Sequence, residues 1–293
     1  MERLAQILEL QPPSIESTES LFAFLPSKAG VGCSTVALNT SVALCNTRNE
    51  SAAGGLRSEL RHDRFMLQIE SPYSVMSAAE NAHEMDEDLW QRLVTTRGSL
   101  DILPAGKLAP GFRIEPTEIG HMLEFARRNY QAICIDLSGI LAKFSVEILY
   151  EAKQIFLLCT PEVPSLHLAR EKLRFLRSLD LESRIRVVMN RATKNPLIPN
   201  SEVEKLLAMP VYMSFPNDCL GVHKALTSGR QVNPASELGK GFRALAHAIS
   251  GSKKSPVEKE HGLLEMILPR KRTGTFSAER VKFLSYLMRR RPT

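Results

Sequence analysis

Cysteine is scarce in this chain and never paired: of 293 residues only Cys33, Cys45, Cys134, Cys159 and Cys219 carry a thiol, and no two form a C-x-x-C. That spacing excludes a disulfide framework and a thiolate metal centre, and three of the five fall in apolar patterns as packing residues. No apolar run approaches the length needed to span a bilayer. The opening, MERLAQILELQPPSIESTES, lacks the charged-then-apolar order of a secretory signal, so the expectation is a cytoplasmic protein. An excess of positive charge is also missing from most of the chain. From Ser252 onward eleven Lys/Arg stand against four Glu, which accounts for the net +6 and leaves the preceding residues near neutral. A body without basic excess argues against coating DNA, and the basic character belongs to an appendage.

What is present is a globular composition, 43% apolar, 6% aromatic and 24% charged, over a length that buries one large or two small domains. The organising stretch is LFAFLPSKAGVGCSTVALNTSVALC, residues 21–45. Its first five residues read as a buried strand, a Pro/Ser/Lys/Gly segment breaks it, and an Ala/Val/Leu pattern from Ser34 reads as a helix. Gly30 and Gly32 let backbone N–H groups wrap an anion closely, and the helix N-terminus adds its positive dipole. Ser34 stands where a phosphate-loop hydroxyl holds Mg²⁺. Against G-x-x-x-x-G-K-[ST], Ser27 replaces the first glycine and Cys33 the phosphate lysine.

With Lys28 kept near its start, the run Ser27-Lys28-Ala29-Gly30-Val31-Gly32-Cys33-Ser34-Thr35 resembles the deviant Walker A motif, xKGGxGK[ST]T, of the MinD/ParA ATPases. A small residue at the later lysine favours the CpaE/TadZ branch, the pilus-assembly ATPases. The resemblance implies ATP and Mg²⁺ as cofactors, with residues 29–35 around the phosphates. It also implies that Lys28 reaches across a homodimer to the partner's nucleotide. It further implies the ATPase module alone, without the receiver-like domain that members of that branch often carry ahead of it.

One part of the pattern is missing. The resemblance implies a second strand ending in D-x-D, which positions Mg²⁺ and the attacking water, but the corresponding positions hold Gly55 and Arg57. Asn46 to Asp63 supplies no apolar run, so residues 46–63 are expected to be poorly ordered. Back-translating Glu50 to Asp63 with permitted codons and reading one nucleotide later can give RVLLADFDLNCGMT, a strand whose two acids coincide with those positions. Two compensating indels would explain this, coincidence through the freedom of synonymous codons is the alternative, and the encoding DNA decides it.

Further on, Ser74–Ala82, Glu87–Val94 and Glu115–Arg128 read as helices and Leu100–Leu103 as a strand. The run YQAICIDLSG, residues 130–139, is an apolar strand ending in Asp136, as a Walker B carboxylate beside Mg²⁺ requires. Gly139 follows as a switch. Strands are expected over 154–161, 184–191 and 211–213, and helices over 165–179, 202–208 and, as a closing pair, 219–250. Asn190 matches the family residue whose amide reads the adenine edge, with a turn or cap as its plain alternative. Arg191, Pro216 and Asp218 complete the base side by resemblance. The alternation implies a three-layer α/β/α, doubly wound, mostly parallel sheet of the P-loop NTPase type, spanning residues 21–250 between a flexible arm (1–20) and the basic tail (251–293).

In the tail, Ser277 looks like an N-cap for a basic amphipathic helix to Met288, able to lie on an anionic membrane through residues 277–291. A solvated tail is the plainer expectation. The leading functional expectation is an ATP-binding CpaE/TadZ-like regulator or localisation factor of pilus or secretion machinery. It would act as a nucleotide-dependent dimer with weak or absent hydrolysis, held by Ser34 and Asp136 on Mg²⁺, in the cytoplasm or at the inner membrane. The alternative is a degenerate P-loop scaffold that binds protein partners without nucleotide. DNA is disfavoured as a partner.

Overall fold

The computed structural model describes residues 21–49, 71–105, 114–137, 139–251 and 281–285. In chain order the strands are β1 (Leu21–Pro26), β2 (Thr95–Arg97), β3 (Leu100–Leu103), β4 (Ala132–Asp136), β5 (Gln154–Cys159), β6 (Ile185–Ala192), β7 (Val211–Pro216) and β8 (Val281–Ser285). The α-helices are α1 (Cys33–Asn49), α2 (Val75–Glu80), α3 (Glu87–Leu93), α4 (Pro116–Asn129), α5 (Lys143–Glu151), α6 (Val163–Ser178), α7 (Asn200–Leu207), α8 (Cys219–Thr227) and α9 (Glu237–Ser250).

The sheet runs β2-β3-β8-β4-β1-β5-β6-β7, and every pairing is parallel except the edge pair of β2 and β3. β1 lies at its centre and all six of its residues are buried, as a parallel strand covered on both faces requires. Its alternation divides the core. Leu21, Ala23 and Leu25 face a layer with α2 to α7, while Phe22 and Phe24 face a layer with α1, α8 and α9. This is the three-layer architecture that the alternation of apolar runs implies.

Local chemistry fixes the helix starts. α4 opens on Pro116 with a capping box between Glu115 and Glu118, α3 on Asp86, which accepts from the Leu89 amide at 2.7 Å, and α9 on Ser236, which accepts from Gly239 at 3.0 Å. Asp101, buried inside β3, is satisfied by a chain of bonds. It accepts from Thr96 Oγ1 at 2.7 Å and from Tyr130 Oη at 2.7 Å, and Tyr130 in turn accepts from Trp90 Nε1 at 2.8 Å.

Two expectations need revision, and β2 and α5 are not among the elements expected from sequence. β2 is only three residues long, whereas the apolar Phe144, Ile148 and Leu149 of α5 do recur at helical spacing. The helix expected from Ser277 to Met288 is not formed over Val281–Ser285, which is a strand pairing on one side with β3 and on the other with β4. The physical reason is the sheet itself: β3 and β4 both have edges to satisfy in this slot, and a five-residue run VKFLS with two β-favouring residues completes both ladders. α1 continues to Asn49, so residues 46–49 are helical, while the frame-shifted strand inferred for residues 50–63 lies outside the described residues, as do the arm at 1–20 and most of the tail.

Candidate functional site

The site begins where β1 ends. The Ser27 amide donates to Leu158 O at 2.8 Å and its hydroxyl shares a 2.9 Å bond with Ser165 Oγ on α6, so the loop leaves the strand pinned to β5 and α6. It then passes through two left-handed backbones, Gly30 at φ 82° and Gly32 at φ 86°. At Gly30 the backbone alone calls for glycine. At Gly32 space does so too, because a Cβ would stand 2.5 Å from Asn190 Nδ2.

α1 follows at once, and its first turn carries Cys33, Ser34 and Thr35. Ser34 Oγ donates to Asp136 Oδ2 at 2.5 Å, joining the helix start to the end of β4. Asp136 is 1% exposed, and its Oδ1 has no hydrogen-bond partner among the described residues. Burial pushes this carboxyl up to about 7, opposed by the Ser34 hydroxyl and the Cys33 thiol. The Cys33 thiol is itself driven well above its ordinary value, first by burial and then by the neighbouring Asp136 charge. A neutral thiol therefore stands at the template's lysine position.

From the far side, β6 ends in Asn190 and Arg191, which brace the loop: Asn190 Nδ2 donates to Val31 O at 2.7 Å and an Arg191 guanidinium nitrogen to Gly30 O at 2.8 Å. Asn190 Oδ1 accepts from the Arg191 amide at 2.9 Å, and Arg191 adopts φ 57°. Both ends of the Asn190 amide are thus engaged within the chain. Here it is a brace of the glycine loop, and the adenine-reading role implied by resemblance would have only its second N–H and second lone pair to use. Asp218 likewise has a local duty, since its side chain caps α8 by accepting from Gly221 at 2.8 Å. Beside these residues lies a cavity of about 190 Å³ walled by Gly32, Thr35, Asn190, Arg191, Pro216 and Asp218, with Val222, Leu226, Leu238 and Phe242 as its apolar side.

The residues singled out from sequence therefore form two adjoining groups that share Gly32. Gly30, Val31, Cys33, Ser34 and Asp136 surround the start of α1, while Thr35, Asn190, Arg191, Pro216 and Asp218 surround the cavity. Ala29 is exposed at the loop's tip, and Lys28 is turned to Glu162, 3.4 Å away. That ion pair is partly exposed and holds Lys28 only weakly. Sequence reasoning missed Glu162, Ser165 and Lys172, all on or before α6. Lys172 Nζ donates to Gly139 O at 2.7 Å, and burial draws its ammonium down to about 8. Their spacing on one helix, i, i+3 and i+10, gives no signal until the topology sets α6 beside the loop.

Among the described residues no group of three or more His, Cys, Asp or Glu is arranged to hold a metal. A divalent ion here would take one or two oxygens from Ser34 and Asp136 and the rest from phosphate and water, which is how Mg²⁺ is ordinarily held, and the orphaned Oδ1 suits it.

No family model matches the chain, and no curated protein sequence matches it. Solved structures do. The structure of a ParA family ATPase from Chlorobium tepidum superposes with a TM-score of 0.66 over 78% of this chain and 98% of that one, at 24% identity. MinD in its MinC:MinD complex from Aquifex aeolicus gives 0.62 over 83% and 100%, at 18% identity. MinD from Pyrococcus horikoshii, complexed with Mg-ADP, gives 0.62 over 81% and 99%, at 17% identity. This chain has the ParA/MinD fold. In this chain the loop at residues 27–35 is the turn between β1 and α1, and β8, from the far end of the chain, lies between β3 and β4.

Proposed function

We propose that the chain binds ATP with Mg²⁺ and works as a nucleotide-dependent regulator or localisation factor of the CpaE/TadZ kind, serving a pilus or secretion assembly in the cytoplasm. The observation that carries this is the bond from Ser34 to the buried Asp136, with one carboxylate oxygen unspent, set at the N-terminus of α1 beside a glycine loop. The likeness in fold to ParA and MinD, one solved with Mg-ADP, supports it.

On this reading the amides of residues 29–35 receive the phosphates, and Ser34 and Asp136 hold Mg²⁺, which supplies charge neutralisation between the phosphate oxygens. Arg191, Pro216 and Asp218 line the cavity for the base, with Asn190 fixing the loop that borders it. Lys28, freed from Glu162, serves the nucleotide of a second copy in a homodimer. Hydrolysis is weak or absent, because β8, VKFLS, brings no carboxylate to orient water beside Asp136.

The second reading, a partner-binding scaffold without nucleotide, is favoured by one observation, the buried neutral thiol of Cys33 where a cation is customary. Titration of the full chain with a fluorescent ATP analogue decides between them. Mg²⁺-dependent binding that Ser34→Ala abolishes supports the first reading. No binding at millimolar analogue overturns it in favour of the scaffold.

A further inference from the structure

Two groups near the loop are left with uncompensated character. One is Asp136 Oδ1, which has no hydrogen-bond partner among the described residues. The other is Lys172, on the third turn of α6. Its ammonium donates only to the neutral Gly139 carbonyl, three residues beyond Asp136, and it makes no ion pair among the described residues. The other cations at the loop are differently engaged: Lys28 faces Glu162, and Arg191 holds the Gly30 carbonyl. The helix start itself carries none, since Cys33 is buried and neutral. The Lys172 charge acts on the Cys33 thiol across this gap.

From this placement we infer that Lys172 is a phosphate-binding residue, supplying from α6, within the same chain, the positive charge that position 33 lacks and setting it against the terminal phosphate of a bound triphosphate. The assignment rests on the ATP reading above. A half-buried lysine suits the task because little of its charge is screened by water, and because the Gly139 carbonyl is a weak hold that a phosphate oxygen outcompetes.

The test compares fluorescent ATP and ADP analogues, with Mg²⁺, on the wild-type chain, Lys172→Gln, Lys172→Arg and Lys172→Gln combined with Cys33→Lys. Glutamine keeps a donor for Gly139 and removes the charge. The expected result is a loss of about tenfold or more in ATP affinity for Lys172→Gln, with ADP affinity within about twofold of wild type. Lys172→Arg should retain most of the ATP affinity, and Cys33→Lys should restore it. Unchanged ATP affinity in Lys172→Gln, or equal loss of both nucleotides, overturns the role of Lys172 and leaves the ATP reading standing. A wild-type chain that binds neither analogue overturns the ATP reading and, with it, this assignment.

Discussion

Asp136 shows at the scale of one residue how a site is prepared at the expense of stability. Burial keeps its carboxyl out of water, and the Ser34 hydroxyl and Cys33 thiol offset this only in part, so its pKa stands at about 7 against an ordinary 3.8. A carboxyl raised on folding binds its proton more tightly in the native state. Its contribution is therefore unaffected below about pH 4 and turns increasingly unfavourable as pH rises from 4 to 7, by as much as about 4 kcal/mol. Metal-free Asp136→Asn should lack this slope and melt at a higher temperature than wild type at pH 8, with the difference shrinking toward pH 4. Thermal unfolding across that pH range checks it. The glycines give a second contrast. Gly30→Ala meets open space and pays only for its positive φ, about 1 kcal/mol, whereas Gly32→Ala must also displace Asn190 and should cost about 2–3 kcal/mol. Denaturant midpoints of the two variants would separate these terms.

Among the elements, β8 bears most on whether the sheet is continuous. It alone joins β3 to β4 in the described sheet, so its loss exposes two ladders together. Removing residues 281–293 should cost about 0.5–1.5 kcal/mol for each ladder bond lost and leave those amides of Leu100–Leu103 and Ala132–Asp136 that face β8 open to exchange. Hydrogen exchange read at those amides is the measurement; unaltered protection there would mean that β8 does not hold the sheet together in solution. The caps make a smaller prediction. Ser236→Ala at the start of α9 should destabilise by about 1 kcal/mol, measured by denaturant unfolding, because it strands the Gly239 amide.

For the molecule as a whole, a ligand that binds only the folded state adds stability by mass action, about 2.7 kcal/mol at a hundredfold excess over its dissociation constant. Mg-ATP should therefore raise the melting temperature of the wild-type chain and leave Ser34→Ala unmoved. If Lys28 serves a second copy, light scattering with and without Mg-ATP should show a dimer that Lys28→Ala fails to form, while Lys28→Ala still binds nucleotide.

The sequence by itself determined the layers and the loop. An unbroken apolar LFAFL and two glycines are local signals, and local physics is enough to read them. It also placed Asp136 at a strand end, where the acid gains meaning from following the glycine loop along the chain. Only the tertiary structure decided what these residues touch. That Asn190 braces Val31, 159 residues away, that Lys172 leans on Gly139, and that β8 is a strand although its residues pattern as a helix all depend on neighbours distant in the chain. Helix periodicity in 277–288 reflects the spacing of apolar side chains, whereas the backbone there answers to two open ladders supplied by β3 and β4, and those exist only once the rest of the sheet has formed.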